Sequence, residues 1–206
     1  MKVKHVGDPT FFARDALVVA RALLGALLVH ETPRGQRRVG RIVETEAYRG
    51  PGDLACHARA GLTKRTRTLY GPPGHAYVFL IYGMYECFNV VCFGEGKGHA
   101  VLVRAVEPVV GVEVRTDGPG RLTRALGITR AHDGHDLTSP PVYIAEGQGR
   151  PSIVASARVG VAYAGEVAEA PWRFYDAASA CVSRPPARMI GLGQPTVKAT
   201  RRRAGA

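Results

Sequence analysis

Apolar residues recur at helical spacing near the beginning of the chain. Asp15 precedes them and can cap a helix, because its side chain can accept a hydrogen bond from a backbone N–H of the first turn. The pattern predicts a helix over roughly 15–25, ending at Gly25. Its apolar positions repeat at intervals of three and four along one face: Ala16, Val19, Ala20, Leu23 and Leu24.

Later segments are rich in β-branched and aromatic residues, which indicates strands. The runs 26–30 and 38–48 are joined by the turn-forming TPRGQ and predict a hairpin. A second hairpin, with Tyr82-Gly83-Met84 at its tip, joins 76–81 to 85–93. Further strands are expected at 100–106, 142–145, 153–161 and 172–175.

Polar segments connect these elements. Residues 50–74 contain Gly, Pro, Thr and Arg with little periodicity, and they predict a long basic loop. Gly118-Pro119-Gly120 opens a short helix over 121–126, whose Arg121 lies where a phosphate can bind. No repeat or break in composition divides the chain, so we expect one domain over 1–184 and a basic, flexible tail over 185–206.

The charge of the chain points to a polyanionic partner. The 206 residues carry 28 Lys and Arg against 17 Asp and Glu, a formal charge of +11, and 46% of them are hydrophobic. Two segments lack acidic residues, 54–85 and 177–206, and both hold clustered Arg and Lys. Such segments in a chain long enough for one compact core favour a nucleic-acid-binding face over a merely solvated surface.

Location and redox environment can also be predicted. The longest apolar stretch, 16–29, contains Arg21 and is shorter than the roughly 20 residues of a membrane span, so no membrane association is expected. The N-terminus lacks the apolar core of a secretory signal. Four Cys without a CxxC pair predict packed, reduced thiols rather than a metal site. We expect a cytoplasmic, nucleoid-associated protein.

The segment RIVETEAYRG carries two carboxylates. In a regular strand, Glu44, Glu46 and Tyr48 share one face with Ile42, and a carboxylate beside an aromatic ring can act as a general base. The alternative is an exposed sheet face whose carboxylates pair with nearby arginines, and the segment alone favours that alternative. The candidate arginines are Arg37, Arg38 and Arg41.

Aromatic residues accompany this segment. His57 opens the basic loop, and the second hairpin carries Tyr77, Phe79, Tyr82 and Tyr85. Aromatic rings interleaved with basic residues suit base stacking together with phosphate contact. Tyr77 and Tyr85 are predicted to lie in the core, whereas Tyr82 beside Gly83 is predicted to point outward, where it can act as a wedge between base pairs.

The motifs GRIVETEAYRGPGDLACHA, YVFLIYGMYECFNV and VLVRAVEP closely resemble the alkyladenine (3-methyladenine) DNA glycosylase family. Shorter matches, ARALLGALLV, GPGRLTRALGI and ARVGVAYAGE, extend the resemblance from about residue 13 to residue 182. Members flip damaged purines from duplex DNA and hydrolyse the N-glycosidic bond without metal or cofactor. Together with the predicted elements, the resemblance implies a single α+β domain. We expect a curved, mostly antiparallel β-sheet flanked by helices, with a protruding β-hairpin.

The resemblance also implies residue roles. Glu46 matches the general base that activates water, and Arg104 a residue that contacts phosphate and orients the water. Tyr82 matches the side chain inserted into the minor groove. Four residues match the pocket of the flipped base: Tyr48, His57, Phe79 and Asn89. Arg121 aligns with a position that binds the DNA backbone, and the basic loop is expected to add Arg59, Lys64 and Arg65.

The chain departs from the family pattern at two places. Phe79 stands where Tyr is usual, which bears on the range of lesions, and the segment 108–118 is short. We expect a monomeric, cofactor-free glycosylase acting on double-stranded DNA, with 3-methyladenine and 7-methylguanine as substrates and deaminated or etheno purines as further candidates. The alternative is a non-catalytic RNA- or DNA-binding module of similar fold. Either should bind with strong salt dependence.

Overall fold

Strands make up most of the regular structure in the computed structural model, which describes residues 4–183. The strands are β1 Leu27–Glu31, β2 Arg37–Arg49, β3 Ala76–Ile81, β4 Tyr85–Cys92, β5 His99–Val110, β6 Val142–Ala145, β7 Ile153–Ser156 and β8 Arg173–Asp176. These eight antiparallel strands form one sheet with the order β3-β4-β5-β2-β1-β6, and β8 joins β2 to β7.

Strand β2 pairs with three others. One of its edges follows β5, while the other pairs first with β1 and then, over 44–46, with β8. The register against β5 shifts between Ile42 and Glu44 and again before Thr45. Such bulges bend a strand and increase its twist. The sheet is curled, as expected for a mixed α+β domain of this kind.

Two α-helices cover the sheet within the described residues: α1 Ala16–Leu23 and α2 Pro119–Leu126. The Asp15 carboxylate accepts a hydrogen bond from Leu17 N at 2.9 Å, which confirms the predicted cap. Helix α2 begins earlier than expected, because Pro119 is tolerated in the first turn. It ends at Leu126, and the next residue, Gly127, has a φ of 73°, a conformation that favours glycine.

The main core lies between these helices and the sheet. Leu23 of α1, Leu126 of α2 and Phe88 of β4 are fully buried in it. Burying a side chain of this size stabilises a fold by about 1.5–3 kcal/mol. On the α1 side, Thr45 Oγ1 donates a hydrogen bond to Ala20 O at 2.9 Å and so ties β2 to α1.

The predicted hairpins and the basic loop are confirmed, whereas the predictions for β7 and for Tyr85 are corrected. Residues 50–74 contain only short 3-10 helices, Gly50–Gly52, His57–Ala60 and Thr68–Tyr70. The strand predicted over 153–161 ends at Ser156, because Arg158 turns into the protein interior. Tyr85 is half exposed rather than buried in the core, and its ring lies against Gly120 of α2.

The remaining expectations concern the cysteines, membrane-spanning segments and the C-terminal tail. Cys56, Cys87, Cys92 and Cys181 are all free thiols, and burial raises the pKa of Cys56 and of Cys87 to about 11. None of the helices in residues 4–183 is long and apolar enough to cross a membrane. The predicted tail over 185–206 lies outside the described residues.

Candidate active site

A pocket of about 520 Å³ opens between the β3–β4 hairpin and several other parts of the chain. They are β2, the basic loop, β5, the start of α2, the segment that follows β7, and Ser183. The walls are mainly aromatic or small side chains, with a few polar groups among them. They include Tyr48, His57, Tyr77, Phe79, Tyr82, Asn89, Arg104, Arg121, Val159 and Ser183.

The Glu46 carboxylate lies directly behind this wall. Its Oε1 accepts a hydrogen bond from Val159 N at 2.7 Å and lies 3.3 Å from Arg104 Nη1. Its Oε2 accepts a hydrogen bond from the Tyr48 hydroxyl at 2.8 Å. Glu46 has no exposed surface, but these three partners all line the pocket. The carboxylate is thus one side chain away from any molecule bound there.

Glu44 is also fully buried, and it shares Arg104 with Glu46. Its Oε1 accepts from Arg104 Nε, Arg173 Nε and Ser183 Oγ, and its Oε2 accepts from Ser183 N at 2.7 Å. An exposed sheet face with carboxylates paired to Arg37, Arg38 or Arg41 is therefore wrong. Arg37 and Arg41 pair with Glu31 and Glu107 instead, and Arg38 donates to Ala125 O.

The regular alternation along β2 also fails at the bulge. Two residues of β2, Val43 and Glu44, stand against Ala105 of β5. Ile42 joins the same core as Ala47, although the two would face opposite sides of a regular strand. Glu44 lies within this irregular stretch and Glu46 and Tyr48 follow it, but Arg104 still contacts both carboxylates.

Arg104 connects the two carboxylates to the pocket. It is 8% exposed and lies within ion-pair distance of both Glu44 and Glu46. Burial opposes its charge, but the Glu46 and Glu44 carboxylates raise the pKa of Arg104. Burial and the Glu46 charge raise the pKa of Tyr48 well above its usual range, so its hydroxyl stays a donor. The site therefore holds a carboxylate supplied with fixed donors.

Aromatic rings form the wall beside the basic loop. The His57 ring lies 4.5 Å from that of Phe79, and His57 Nδ1 is 3.0 Å from the Tyr77 hydroxyl. The Arg65 guanidinium lies 5.8 Å from the Phe79 ring centroid. Burial and the Arg65 charge lower the pKa of His57, which makes its imidazole neutral at pH 7. Tyr77 is buried, as predicted.

Asn89 and Tyr82 occupy contrasting positions. Asn89 is buried on β4, and its Nδ2 donates to Tyr77 O at 3.0 Å, so the amide is held at the pocket wall. Tyr82 stands at the tip of the β3–β4 hairpin, where it is 83% exposed and has a φ of 53°. A large apolar ring held outward in this way confirms the orientation predicted from its neighbour Gly83.

The basic residues are spread more widely. Arg121 lines the pocket mouth, where it pairs with Asp117 at 3.1 Å, and Asp117 also pairs with Arg115. Arg59, Lys64 and Arg65 are exposed on the basic loop but do not line the pocket. The structure thus gathers the predicted pocket residues, Tyr82 and Arg121 at one place and leaves the loop cations beside it.

Three residues at the site were missed by the sequence interpretation. Arg158 makes two hydrogen bonds with Asp53, at 2.6 and 2.9 Å, and its guanidinium lies 4.7 Å from the Tyr48 ring centroid. Arg173 and Ser183 bind Glu44. The available signal was an arginine inside each of two apolar runs, 153–161 and 172–175, because a charge in a buried strand requires a partner.

Metal-ligating side chains do not gather at this pocket. Across residues 4–183, the structure contains no group of three or more His, Cys, Asp or Glu side chains arranged to hold a metal ion.

Comparison with known proteins adds to this geometry. A family model described as methylpurine-DNA glycosylase (MPG) matches residues 10–180. A protein of Myxococcus xanthus named "Putative 3-methyladenine DNA glycosylase" is 58% identical over 86% of this chain and 93% of its own length. Proteins with the same name are similar in Anaeromyxobacter dehalogenans, 54% identical over 85% of each chain, and in Methanocella arvoryzae, 49% identical over 84% of this chain and 94% of its own.

Proposed function

The chain belongs to the methylpurine-DNA glycosylase family, and from that membership we propose that it excises damaged purines from double-stranded DNA. The substrates are alkylated purines such as 3-methyladenine and 7-methylguanine, and the range extends to deaminated and etheno purines. The observation that carries this proposal is the Glu46 carboxylate behind an aromatic pocket, where Tyr48 and Val159 donate hydrogen bonds to it and Arg104 forms an ion pair with it.

Excision requires the damaged nucleotide to leave the helix. A base inside a duplex is out of reach of any side chain, and its extrusion costs a few kcal/mol, least for a weakly paired lesion. Tyr82, exposed at the hairpin tip, is suited to fill the gap. The pocket volume of about 520 Å³ accommodates a purine, whose faces can stack on Tyr48, His57 and Phe79.

Asn89 supports discrimination against normal bases. Its amide is fixed by the hydrogen bond to Tyr77 O, so it cannot swing away from a bound base without losing that bond. An exocyclic amino group such as that of guanine would meet this fixed group. We therefore assign Asn89 to the exclusion of undamaged guanine.

Glu46 acts as the general base. It takes a proton from a water molecule while the water oxygen bonds to C1′ of the sugar. The C1′–N bond breaks, and its electron pair passes to the purine nitrogen. An alkylated purine is cationic, so it leaves as a neutral base without needing a proton, whereas a neutral deaminated or etheno purine takes up a proton from solvent as it leaves. The carboxylate also stabilises the positive charge that develops on the sugar in the transition state.

Substrate binding must open a path to this carboxylate. Tyr48, Arg104 and Val159 cover Glu46 in the structure, so water has to reach it between them. Arg104 lies at the pocket surface and can contact a DNA phosphate while it orients the water. Arg121 at the pocket mouth and the loop residues Arg59, Lys64 and Arg65 bind further phosphates.

The reaction is direct hydrolysis by a monomeric, cofactor-free enzyme. A lyase mechanism would need an amine that attacks C1′, and no lysine of residues 4–183 lines the pocket. Borohydride should consequently trap no covalent DNA adduct through Lys64 or Lys97. DNA as substrate agrees with a location in the cytoplasm, associated with the nucleoid. A non-catalytic binding module would have no use for a buried carboxylate at a basic surface.

The first test replaces Glu46 with Gln. Glu46→Gln keeps the side-chain shape but cannot take the proton, so release of methylated purine from methylated duplex DNA should fall by about 100-fold or more, within the range for a lost general base. Binding to lesion-containing duplex should remain. Glu107→Gln on β5 is the matched control, because Glu107 pairs with Arg41 and does not line the pocket.

The outcomes distinguish a glycosylase that uses Glu46 from a non-catalytic binding module. Wild-type protein that releases no purine would favour the binding module. Wild-type activity that survives in Glu46→Gln would show that another group is the base.

A further inference from the structure

We propose that Glu44 is a positioning residue for base release: it fixes the Arg104 guanidinium so that Arg104 in turn holds Glu46. Glu44 lies two residues before Glu46 on β2 and has no exposed surface. The inference rests on the function proposed above, since it concerns how the proposed base is held. It gives a role to a buried carboxylate that the hydrolysis itself does not use.

Glu44 is held by donors from three separate parts of the chain. Oε1 lies 3.0 Å from Arg104 Nε on β5, 2.6 Å from Arg173 Nε on β8 and 2.8 Å from Ser183 Oγ. Oε2 accepts the Ser183 backbone N–H at 2.7 Å. A carboxylate with four donors on it has little freedom to rotate, so it forms a fixed point for each of them.

Arg104 links Glu44 to the candidate base Glu46. Its Nε contacts Glu44, while Nη1 lies 3.3 Å from Glu46 Oε1 and Nη2 lies 3.4 Å from Ser183 Oγ. Because a guanidinium is planar and its donors have fixed directions, anchoring Nε determines where Nη1 points. Without Glu44, Arg104 could rotate into the adjacent pocket.

Arg173 balances the charge of the network. Its side chain is fully buried, and it also contacts Ser156 Oγ at 3.3 Å and Ser183 O at 3.4 Å. Two carboxylates and two guanidinium groups give a formal charge of zero. If Arg173 were absent, Arg104 would be the one cation between two carboxylates, and Glu44 would compete with Glu46 for it.

A purely structural role for Glu44 predicts a different result. The network joins β2, β5 and β8, so its loss would destabilise the fold even if it did nothing for the reaction. That role predicts a lower melting temperature with an unchanged rate for each folded molecule. Positioning predicts a slower chemical step and a changed pH profile in protein that is folded.

The test is Glu44→Gln in the full chain, followed by single-turnover release of 7-methylguanine. We expect the rate constant to fall by about 100-fold, the loss that a misplaced catalytic group can cause. The dissociation constant should stay within about twofold, measured on a duplex whose lesion nucleotide carries a 2′-fluorine that slows cleavage. The acid limb of the pH–rate profile should move to higher pH, because Arg104 no longer stays beside the Glu46 carboxylate and no longer favours its charged form.

Thr45→Val is the matched control. It removes one buried hydrogen bond, to Ala20 O, from the neighbouring residue of the same strand, on the side that faces α1. It should lower stability without changing the rate or the pH profile. A Glu44→Gln variant with a wild-type rate and profile would overturn the proposal.

A milder variant covers the case in which Glu44→Gln does not fold. Ser183→Ala removes one donor to Glu44 and leaves the backbone N–H in place, and it should slow release by about tenfold. An unchanged rate would refute the positioning role. If the wild-type protein itself releases no purine, the proposed function fails. The Arg104 Nε–H resonance, observed by NMR without DNA, then decides the inference: it must shift in Ser183→Ala.

Discussion

At the scale of single residues, Tyr48 shows how the site is held together. Its hydroxyl donates to Glu46 Oε2, while the Arg158 guanidinium lies 4.7 Å from its ring centroid. Arg158 is itself fixed by two hydrogen bonds to Asp53. The ring therefore has a cation at one side, and the hydroxyl has one acceptor. The position of Tyr48 at the pocket wall is therefore set by Glu46, which is near it in sequence, and by Arg158, which is distant.

Replacing Tyr48 with Phe should separate these two contributions. The variant keeps the ring but removes one hydrogen bond to a charged group, so base release should fall by about tenfold. DNA binding should not change, because the stacking surface is intact. Single-turnover kinetics with a 7-methylguanine duplex measures the rate, and anisotropy measures the binding.

Tyr143→Phe provides the control for that experiment. The Tyr143 hydroxyl also donates to a carboxylate, Glu31 Oε1 at 3.0 Å, but neither residue lines the pocket. Equal losses in both variants would point to stability rather than to the site. A Tyr48→Phe enzyme with the wild-type rate would show that this hydrogen bond is dispensable.

At the scale of elements, the β3–β4 hairpin presents Tyr82 at some conformational cost. A residue with a φ of 53° lies in the left-handed region, which costs a non-glycine residue about 1–2 kcal/mol. Nothing in the hairpin repays this cost through burial, since Tyr82 is 83% exposed. Strain kept at an exposed position is typical of a functional role.

Tyr82→Gly should make stability and function diverge. Glycine relieves the strain, so the melting temperature should stay equal or rise, while base release from duplex DNA should fall because no ring fills the gap. Tyr82→Phe keeps the ring and should behave like wild type. A Tyr82→Gly variant with full activity on duplex DNA would contradict the assigned wedge.

Elements also show what the sequence can predict. Helix α1 and both hairpins follow from local patterns of capping, alternation and turn residues. The end of β7 does not follow from such patterns, because Arg158 lies in the interior, where it binds Asp53, 105 residues earlier. The position of the Tyr85 ring likewise involves a contact distant in sequence, with Gly120 of α2. Local patterns carry no information about such distant contacts.

The candidate site was predictable to a similar degree. Strand periodicity placed Glu44, Glu46 and Tyr48 on one face but could not distinguish the carboxylates, and it missed the bulge at Glu44. The motifs did indicate the pocket residues that the structure gathers. Arg173 and Ser183 could not be paired with Glu44 from sequence, because 129 and 139 residues separate them.

At the scale of the whole molecule, three histidines make stability depend on pH. Burial is the main cause that lowers the pKa of His57, His99 and His132, and Arg65, Arg49 and His30 add to it respectively. Each is neutral in both states at pH 8. Below about pH 6.5 the unfolded chain binds protons that the folded chain resists, so the free energy of unfolding falls.

The melting temperature should consequently be constant between pH 7 and 8 and decrease between pH 6.5 and 5. Carboxylates whose pKa is lowered, such as Glu31 and Asp117, lose their contribution only below about pH 4 and stay outside this window. Calorimetry at pH 8, 6.5 and 5.5 measures the effect. Replacing His132 with Gln should flatten the decrease, and a melting temperature that is equal at pH 8 and 5.5 would contradict the prediction.

The contacts of Ser183 set a constraint on biosynthesis. Glu44 and Arg104 leave the ribosome early, but two of the four donors that hold Glu44 belong to Ser183, and Arg173 precedes it by only ten residues. Before that stretch emerges, the nascent chain carries an incompletely neutralised carboxylate in strands that are otherwise ready to pair. Assembly of the Glu44 network is therefore a late step of synthesis, and a shortened translation product ending before residue 173 would lack three of the four donors to Glu44.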